Sequence, residues 1–353
     1  MTERTGESSG GLVGMADTAL DRRGFTSWPL RVRAAVAAVA VVGVAAGAGA
    51  FLAGNLSNAF GPDTVCGGMV NAAALNDALG SGAVSAKTSG DGLRSGNDHC
   101  TATVSHGVFG GDRSVIVQVK RADDLGPYLA DSGASLFAAS ANGGASGAAR
   151  SDRAWALLPG ECGGGLRVEV SSVSGAQPGA GKLAGLAVSA ANGFAADRGC
   201  GKTRLPAPQK LSEAGQEHEL NSGSVCGLPG STATGGAGDK RYRESVSTAF
   251  DPVWVCRITP DTEPGPRYTF LIGTEPRLRT PVNEKDAPPA FGRSRWAGSP
   301  IRDREVVATC QGRPTYFRME SGISLQGRFP DSEGTWKQFL AAGGKAIGCE
   351  PIL

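Results

Sequence analysis

His99-Cys100-Thr101-Ala102-Thr103-Val104-Ser105 and Val253-Trp254-Val255-Cys256-Arg257-Ile258-Thr259 each set a cysteine on a strand that opens a β-hairpin. Residues 114–120 and 267–272 supply the returning strands. Glycines and Asp112 fill one connection, and Pro260, Pro264 and Gly265 fill the other, all residues with backbone preferences suited to turns. Ser114-Val115-Ile116-Val117-Gln118-Val119 is apolar and β-branched enough to be a central strand. Around these hairpins the eight cysteines fall into two sets, Cys66, Cys100, Cys162, Cys200 and Cys226, Cys256, Cys310, Cys349. The residues between successive members number 33, 61 and 37 in the first set and 29, 53 and 38 in the second, the pattern of an internal duplication.

The rest of each set extends the parallel. Cys66-Gly67 opens a stretch with helical spacing at Met69, Ala73, Leu75 and Leu79 that stops at Gly80. Cys226-Gly227 begins the same way, but Pro229 and the Gly/Thr-rich run behind it would not hold a long helix. Asp123 to Ala141 reads as an amphipathic helix through Leu125, Leu129, Leu136 and Phe137, whereas Glu275 to Ser299 is broken by Pro276, Pro281, Pro288 and Pro289. Two strands then flank the third cysteine, around Trp155 and Leu166 in one copy and around Val306 and Tyr316 in the other. A helix closes each copy, over 182–196 and 335–347, just before the fourth cysteine.

Export makes the cysteines intelligible, because disulfides persist in oxidising compartments. Residues 34–54 form an uncharged run of 21 residues, the length that about 1.5 Å per residue needs for a bilayer core of about 30 Å. A single transmembrane helix is therefore expected. Arg22, Arg23, Arg31 and Arg33 precede it and no Lys or Arg follows before Lys87, which orients the N-terminus to the cytoplasm. The rival expectation is a removed export signal, since Arg22-Arg23-Gly24-Phe25 resembles a twin-arginine motif, although Asp21 and Thr26 depart from it. Cys66 is no lipid anchor, because Asp63-Thr64-Val65 is not a lipobox. Both readings export the bulk of the chain. Gly43 and Gly47 in the run permit close helix approach, the one feature on which a homodimer would rest.

The expected fold class is α+β: a single transmembrane helix followed by two tandem, duplicated domains, each a mainly antiparallel sheet with flanking helices and two disulfides. The divisions are a disordered tail over 1–33, the transmembrane helix over 34–54, a spacer over 55–65, one extracytoplasmic repeat over 66–200, a linker over 201–224 and a second repeat over 225–353. Within each repeat, pairing first with second and third with fourth cysteine is favoured, with first to fourth as the alternative. An exported unit opening with Cys-Gly and a helix, followed by a strand cysteine as in Trp254-Val255-Cys256, resembles the paired-cysteine lipoprotein and single-pass ectodomains of high-GC Gram-positive bacteria. Several of those are similar to the Mog1/PsbP-type α/β fold. The resemblance implies a docking or accessory domain and carries over no site residues.

Catalytic and cofactor motifs fare poorly. Without a Cys-x-x-Cys and with only three His, a zinc site is not supported. Residues 175–183 superficially resemble a phosphate loop, but Ala176 stands where its first glycine belongs and Leu183 replaces the magnesium-binding hydroxyl. The sequence thus implies no cofactor. His99 and His106 flank one strand, His218 lies in the linker, and no nucleophile elbow or His-Glu-x-x-His helix occurs. Glu161, Glu169 and Asp152 could contribute to a carboxylate pair. Gly163-Gly164-Gly165 suits a turn beside a disulfide better than an anion nest.

Charge points to the second repeat. Cys66 to Cys200 holds 10 Lys/Arg and 11 Asp/Glu, a net of −1, while Cys226 to Cys349 holds 17 and 13, a net of +4. Arg293, Arg295, Trp296, Arg302 and Arg304 form its densest cluster, a composition enriched at binding centres. These residues are the expected binding site, for an envelope protein or an anionic polymer. Nucleic acid is a poor partner for an exported chain of net charge +2. The expected function is a non-enzymatic, membrane-anchored binding or accessory protein of the cell envelope. A carboxylate-dependent envelope hydrolase and a structural or sensory single-pass protein are the alternatives.

Overall fold

The computed structural model describes residues 57–89, 98–107, 110–121, 133–137, 144–162, 166–173, 178–208, 210–212, 215–232, 242–247, 250, 253–261, 268–275, 277, 295–296, 303–321 and 332–352, with isolated helical positions between 18 and 45. Two seven-stranded antiparallel sheets dominate it, beside a two-stranded ribbon. The first sheet runs β3 (Ala83–Ser89), β4 (His99–Ser105), β5 (Arg113–Arg121), β9 (Leu166–Ser172), β8 (Arg153–Leu157), β7 (Gly147–Ala149) and β6 (Ser135–Phe137). The second runs β10 (His218–Glu219), β11 (Tyr242–Val246), β12 (Val253–Pro260), β13 (Tyr268–Gly273), β16 (Arg313–Ser321), β15 (Asp303–Cys310) and β14 (Arg295–Trp296). Laid side by side, β3-β4-β5-β9-β8-β7 and β11-β12-β13-β16-β15-β14 follow one connectivity, with β6 and β10 as additions at opposite edges.

The disulfides repeat with the strands. Cys66–Cys100 and Cys226–Cys256 tie the opening segment of each unit to its β4 or β12 strand, and Cys162–Cys200 and Cys310–Cys349 tie the turn after β8 or the last residue of β15 to the chain after the final helix. This is the favoured pairing, and it uses all eight cysteines. Sequence separations of 34, 38, 30 and 39 residues make each worth about 3.5–4 kcal/mol on the loop-entropy account. At both openings the Cys-Gly pair adopts left-handed backbone, with φ of 57° and 69° at Cys66-Gly67 and 61° and 68° at Cys226-Gly227. A cysteine there is uncommon, and the disulfide and the following glycine hold the same turn twice.

The cores are filled differently. In the first unit, a short ribbon of β1 (Thr64–Val65) and β2 (Val70–Asn71) leads into α1 (Ala72–Leu79), capped by Asn71 Oδ1 accepting from the Ala73 and Ala74 amides. With α2 (Ala180–Asp197) it covers Cys100, Ala102, Val104, Val115, Val117, Val168 and Val170. α2 buries Leu183, Leu186 and a series of alanines, so it lies close. At Gly193 a Cβ would come within 2.1 Å of the Met69 carbonyl oxygen. Among the described residues the second unit has a 3-10 turn, Val225–Gly227, where the first has α1. Its closing helix, α3 (Ser332–Ala346), fills the volume with rings. Phe339 packs 4.7 Å from Phe270, 5.7 Å from Trp336, 5.9 Å from Phe317 and 6.3 Å from Trp254 between ring centroids.

Two expectations are corrected. Among the described residues no helix is long and apolar enough to cross a membrane. The run over 34–54 carries Gly43, Gly47, Gly49 and Gly54, and Gly is a poor helix former. The fold class with a single transmembrane helix is overturned on that point. Second, Leu136 and Phe137 lie on strand β6 and not on a helix; the bulk of Asp123 to Ala141 lies outside the described residues. β-sheet pairing with β7 overrides the helical spacing. The stretch expected as a linker is fastened to the first unit at two points. Leu205 is buried and bonded through both backbone groups to the Asn192 amide, and Ser212 exchanges two hydrogen bonds with the backbone of Leu136.

Candidate functional site: the seam and the open sheet face

Each sheet covers one face with its helices; the opposite faces partly meet each other. Ala134, Leu136, Ala148, Trp155 and Leu157 from the first unit form one buried apolar cluster with Val253, Val255 and Leu271 from the second. All are at most 7% exposed. These residues alternate with the core: Ala154 and Ala156 face α2 while Trp155 and Leu157 face the seam, and Trp254 and Cys256 face α3 while Val253 and Val255 face the seam.

A polar node closes the seam. The Ser146 hydroxyl donates to Glu275 Oε2 at 2.7 Å, and Arg277 donates from Nε to Glu275 Oε1 at 2.8 Å and from Nη2 to Oε2 at 2.7 Å. The same Nη2 donates to the Gly144 carbonyl at 2.7 Å and lies 3.1 Å from Ser146 Oγ. Burial acts to raise the Glu275 carboxyl, but the hydrogen bond and charge of Arg277, with Ser146 and the Arg277 amide, outweigh it and hold the group below its ordinary 4.5. The bidentate Arg277–Glu275 pair lies within the second unit, and its bonds to Ser146 and the Gly144 carbonyl tie it to the first.

The residues singled out from sequence scatter. Arg295 and Trp296 form the edge strand β14, paired in register with Val307 and Val306, and Arg304 lies on the neighbouring β15 opposite Met319. Arg293 and Arg302 lie outside the described residues. Beside Arg304, Glu305 and Glu320 flank Arg318, with Arg318 Nη1 3.7 Å from Glu305 Oε2, in a largely buried ion cluster. Glu169 is bridged by Lys120 Nζ at 2.9 Å and Arg167 Nη2 at 3.8 Å, and Asp152 sits between Arg150 at 3.4 Å and Arg153 at 3.9 Å. Glu161 is exposed in the 3-10 turn before Cys162. Glu169 and Asp152 thus serve ion pairs on separate elements. Lys182 opens α2 by donating to the Asp77 carbonyl of α1 at 2.8 Å, a helix tether. His99 is on β4, His106 just beyond it, and His218 on β10.

Glu244 was not anticipated. It is 1% exposed, on the helix side of β11, and its Oε2 accepts the Cys226 amide at 2.7 Å while Oε1 lies 3.4 Å from the Asn221 amide and 3.7 Å from His218 Nδ1. Its oxygens also approach the sulfurs of Cys226 and Cys256. Those sulfurs are joined in a disulfide, so they offer no thiolate to a metal, and the carboxylate serves to cap the turn that replaces α1. A cleft of about 70 Å³ beside the other N-terminal disulfide, lined by Cys66, Met69, Thr88, Phe194, Asp197 and Arg198, is well below the about 300 Å³ at which small-molecule pockets begin.

The part of the first sheet beyond the seam stays open. β3, β4, β5 and β9 turn toward it Ser85, Lys87, Thr101, Thr103, Ser114, Gln118, Lys120 and Arg167 among others, each at least partly exposed. No known protein family matches this chain, and no curated protein or solved structure is significantly similar to it. The four disulfides fit an oxidising, extracytoplasmic setting.

Proposed function

We propose that the chain is a non-enzymatic binding or accessory protein of the bacterial cell envelope. The observation that carries this reading is the seam. Two disulfide-braced sheets, each with its own core, are fixed into one body by an apolar patch and the Ser146–Glu275–Arg277 node, leaving a broad polar sheet face and the β14 edge turned outward. Rigid presentation of flat surfaces suits recognition of an extended partner. The accessory role implied by the resemblance to paired-cysteine ectodomains agrees with it. Purified full-length chain, oxidised and immobilised, is expected to retain an envelope component that a reduced and alkylated sample of the same chain does not. Equal retention by both samples, or none by either, would overturn the proposal. Turnover of wall polymer by the full chain, abolished by Glu161→Gln or Glu169→Gln, would establish the hydrolytic alternative instead.

A further inference from the structure

The open face of the first sheet has a charge that the unit as a whole lacks. Strand register sets its outer side chains in lateral rows: Lys87, Thr101, Ile116, Ser171 and Arg153 in one, Ser89, His99, Gln118 and Glu169 in the next, and Lys120 with Arg167 beyond. The strands thus carry Lys87, Lys120, Arg153 and Arg167 outward against the single carboxylate of Glu169. Asp112 and Asp152 stand in turns at the margin, the first accepting from Ser105 Oγ at 2.7 Å and the second already between Arg150 and Arg153. This surplus sits on a unit whose net charge from Cys66 to Cys200 is −1, so this face is more basic than the unit as a whole.

The cations are also spread. Lys87 and Arg153 lie in one row on strands four spacings apart, about 19 Å at about 4.8 Å per strand, and the Lys120–Arg167 pair lies about 13 Å along the strands from that row. One small anion cannot touch them all; a chain of anions can. Between them the hydroxyls of Thr101 and Ser171 and the Gln118 amide offer donors, and Ser85, Thr103 and Ser114 line the other side of the Lys87 row, Thr103 and Ser114 in mutual contact at 2.8 Å.

We propose that this face docks a linear phosphate-bearing polymer, laid across the strands from Lys87 toward Arg153. The inference rests on the binding reading above and names its ligand class and surface. The binding is electrostatic with hydrogen-bond support, so it weakens as salt screens the exposed charges. The equivalent face of the second sheet is occupied by the seam at Val253, Val255 and Leu271, so only the first unit presents it.

The test is titration of oxidised full-length chain with poly(glycerol phosphate), against an uncharged glycan of similar length. The wild type is expected to bind the polyanion alone, and high salt should weaken binding by at least about tenfold. Lys87→Glu with Arg153→Glu should lower affinity by at least about tenfold. Lys345→Glu, exposed on the last turn of α3 in the second unit, should leave it unchanged, and an unaltered disulfide map with an unchanged melting temperature shows that each variant folds. Polyanion binding that the double variant does not weaken, or no polyanion binding by a wild type that still retains an envelope component, would overturn the inference. The second outcome leaves the binding reading standing; failure of that reading shows instead as no retained component at all.

Discussion

Glu275 shows how one residue can carry the orientation of a whole unit. Its carboxylate is ionised because Arg277 and Ser146 compensate the cost of burial. A carboxyl depressed on folding stabilises the native state above its unfolded value of 4.5, and that contribution is lost as pH falls below this value and through the depressed one. Wild-type stability should therefore fall more steeply with acid than that of Glu275→Gln, measured by urea unfolding at neutral and acidic pH; parallel curves would contradict the node. Glu244 makes a second residue-scale prediction. Glu244→Gln keeps an acceptor for the Cys226 amide, whereas Glu244→Ala leaves that buried amide unpaired and should cost about 1–3 kcal/mol more, measured by the same unfolding experiment. Gly193→Ala should destabilise the first unit, because the new methyl would meet the Met69 backbone, which cannot yield as a side chain tip could.

At the scale of elements, one connectivity is packed in two ways. Where α1 and α2 share the first core, small alanines suffice; where the 3-10 turn stands instead, Phe339 and its ring neighbours take up the space. Phe339→Ala should accordingly cost about 3–5 kcal/mol, read as a lower denaturation midpoint, with Cys310–Cys349 still formed. The hairpins, the strands at the third cysteine and the closing helices were legible because cysteine spacing fixed their order and apolar runs fixed their type. β6 was not, since Leu136 and Phe137 satisfy helical spacing as well as a strand and only pairing with β7 decides between them. The seam left a fainter trace. Val253-Trp254-Val255-Cys256 and Trp155-Ala156-Leu157 are apolar on both faces, as strands covered on both sides are, while His99 to Ser105 alternates as a strand with one open face does. Glu244 and the Glu275 node gave no sequence signal, because their partners lie on other elements and only the fold assembles them.

For the whole molecule, the consequence of the seam is cooperativity. The full chain should unfold in one calorimetric transition, and Trp155→Ala, which removes the largest side chain of the seam, should separate it into two. Two transitions already in the wild type would mean that the seam does not couple the units. Everything above the residue scale depends on the pairing of the cysteines, which fastens the repeated turns and the ends of the closing helices to their sheets. Non-reducing peptide mapping of the exported full-length chain tests it directly. Cross-linked peptides joining Cys66 to Cys100, Cys162 to Cys200, Cys226 to Cys256 and Cys310 to Cys349, with no free thiol, are the expected result. Bridges between the two sets, or free thiols at most positions, would contradict it.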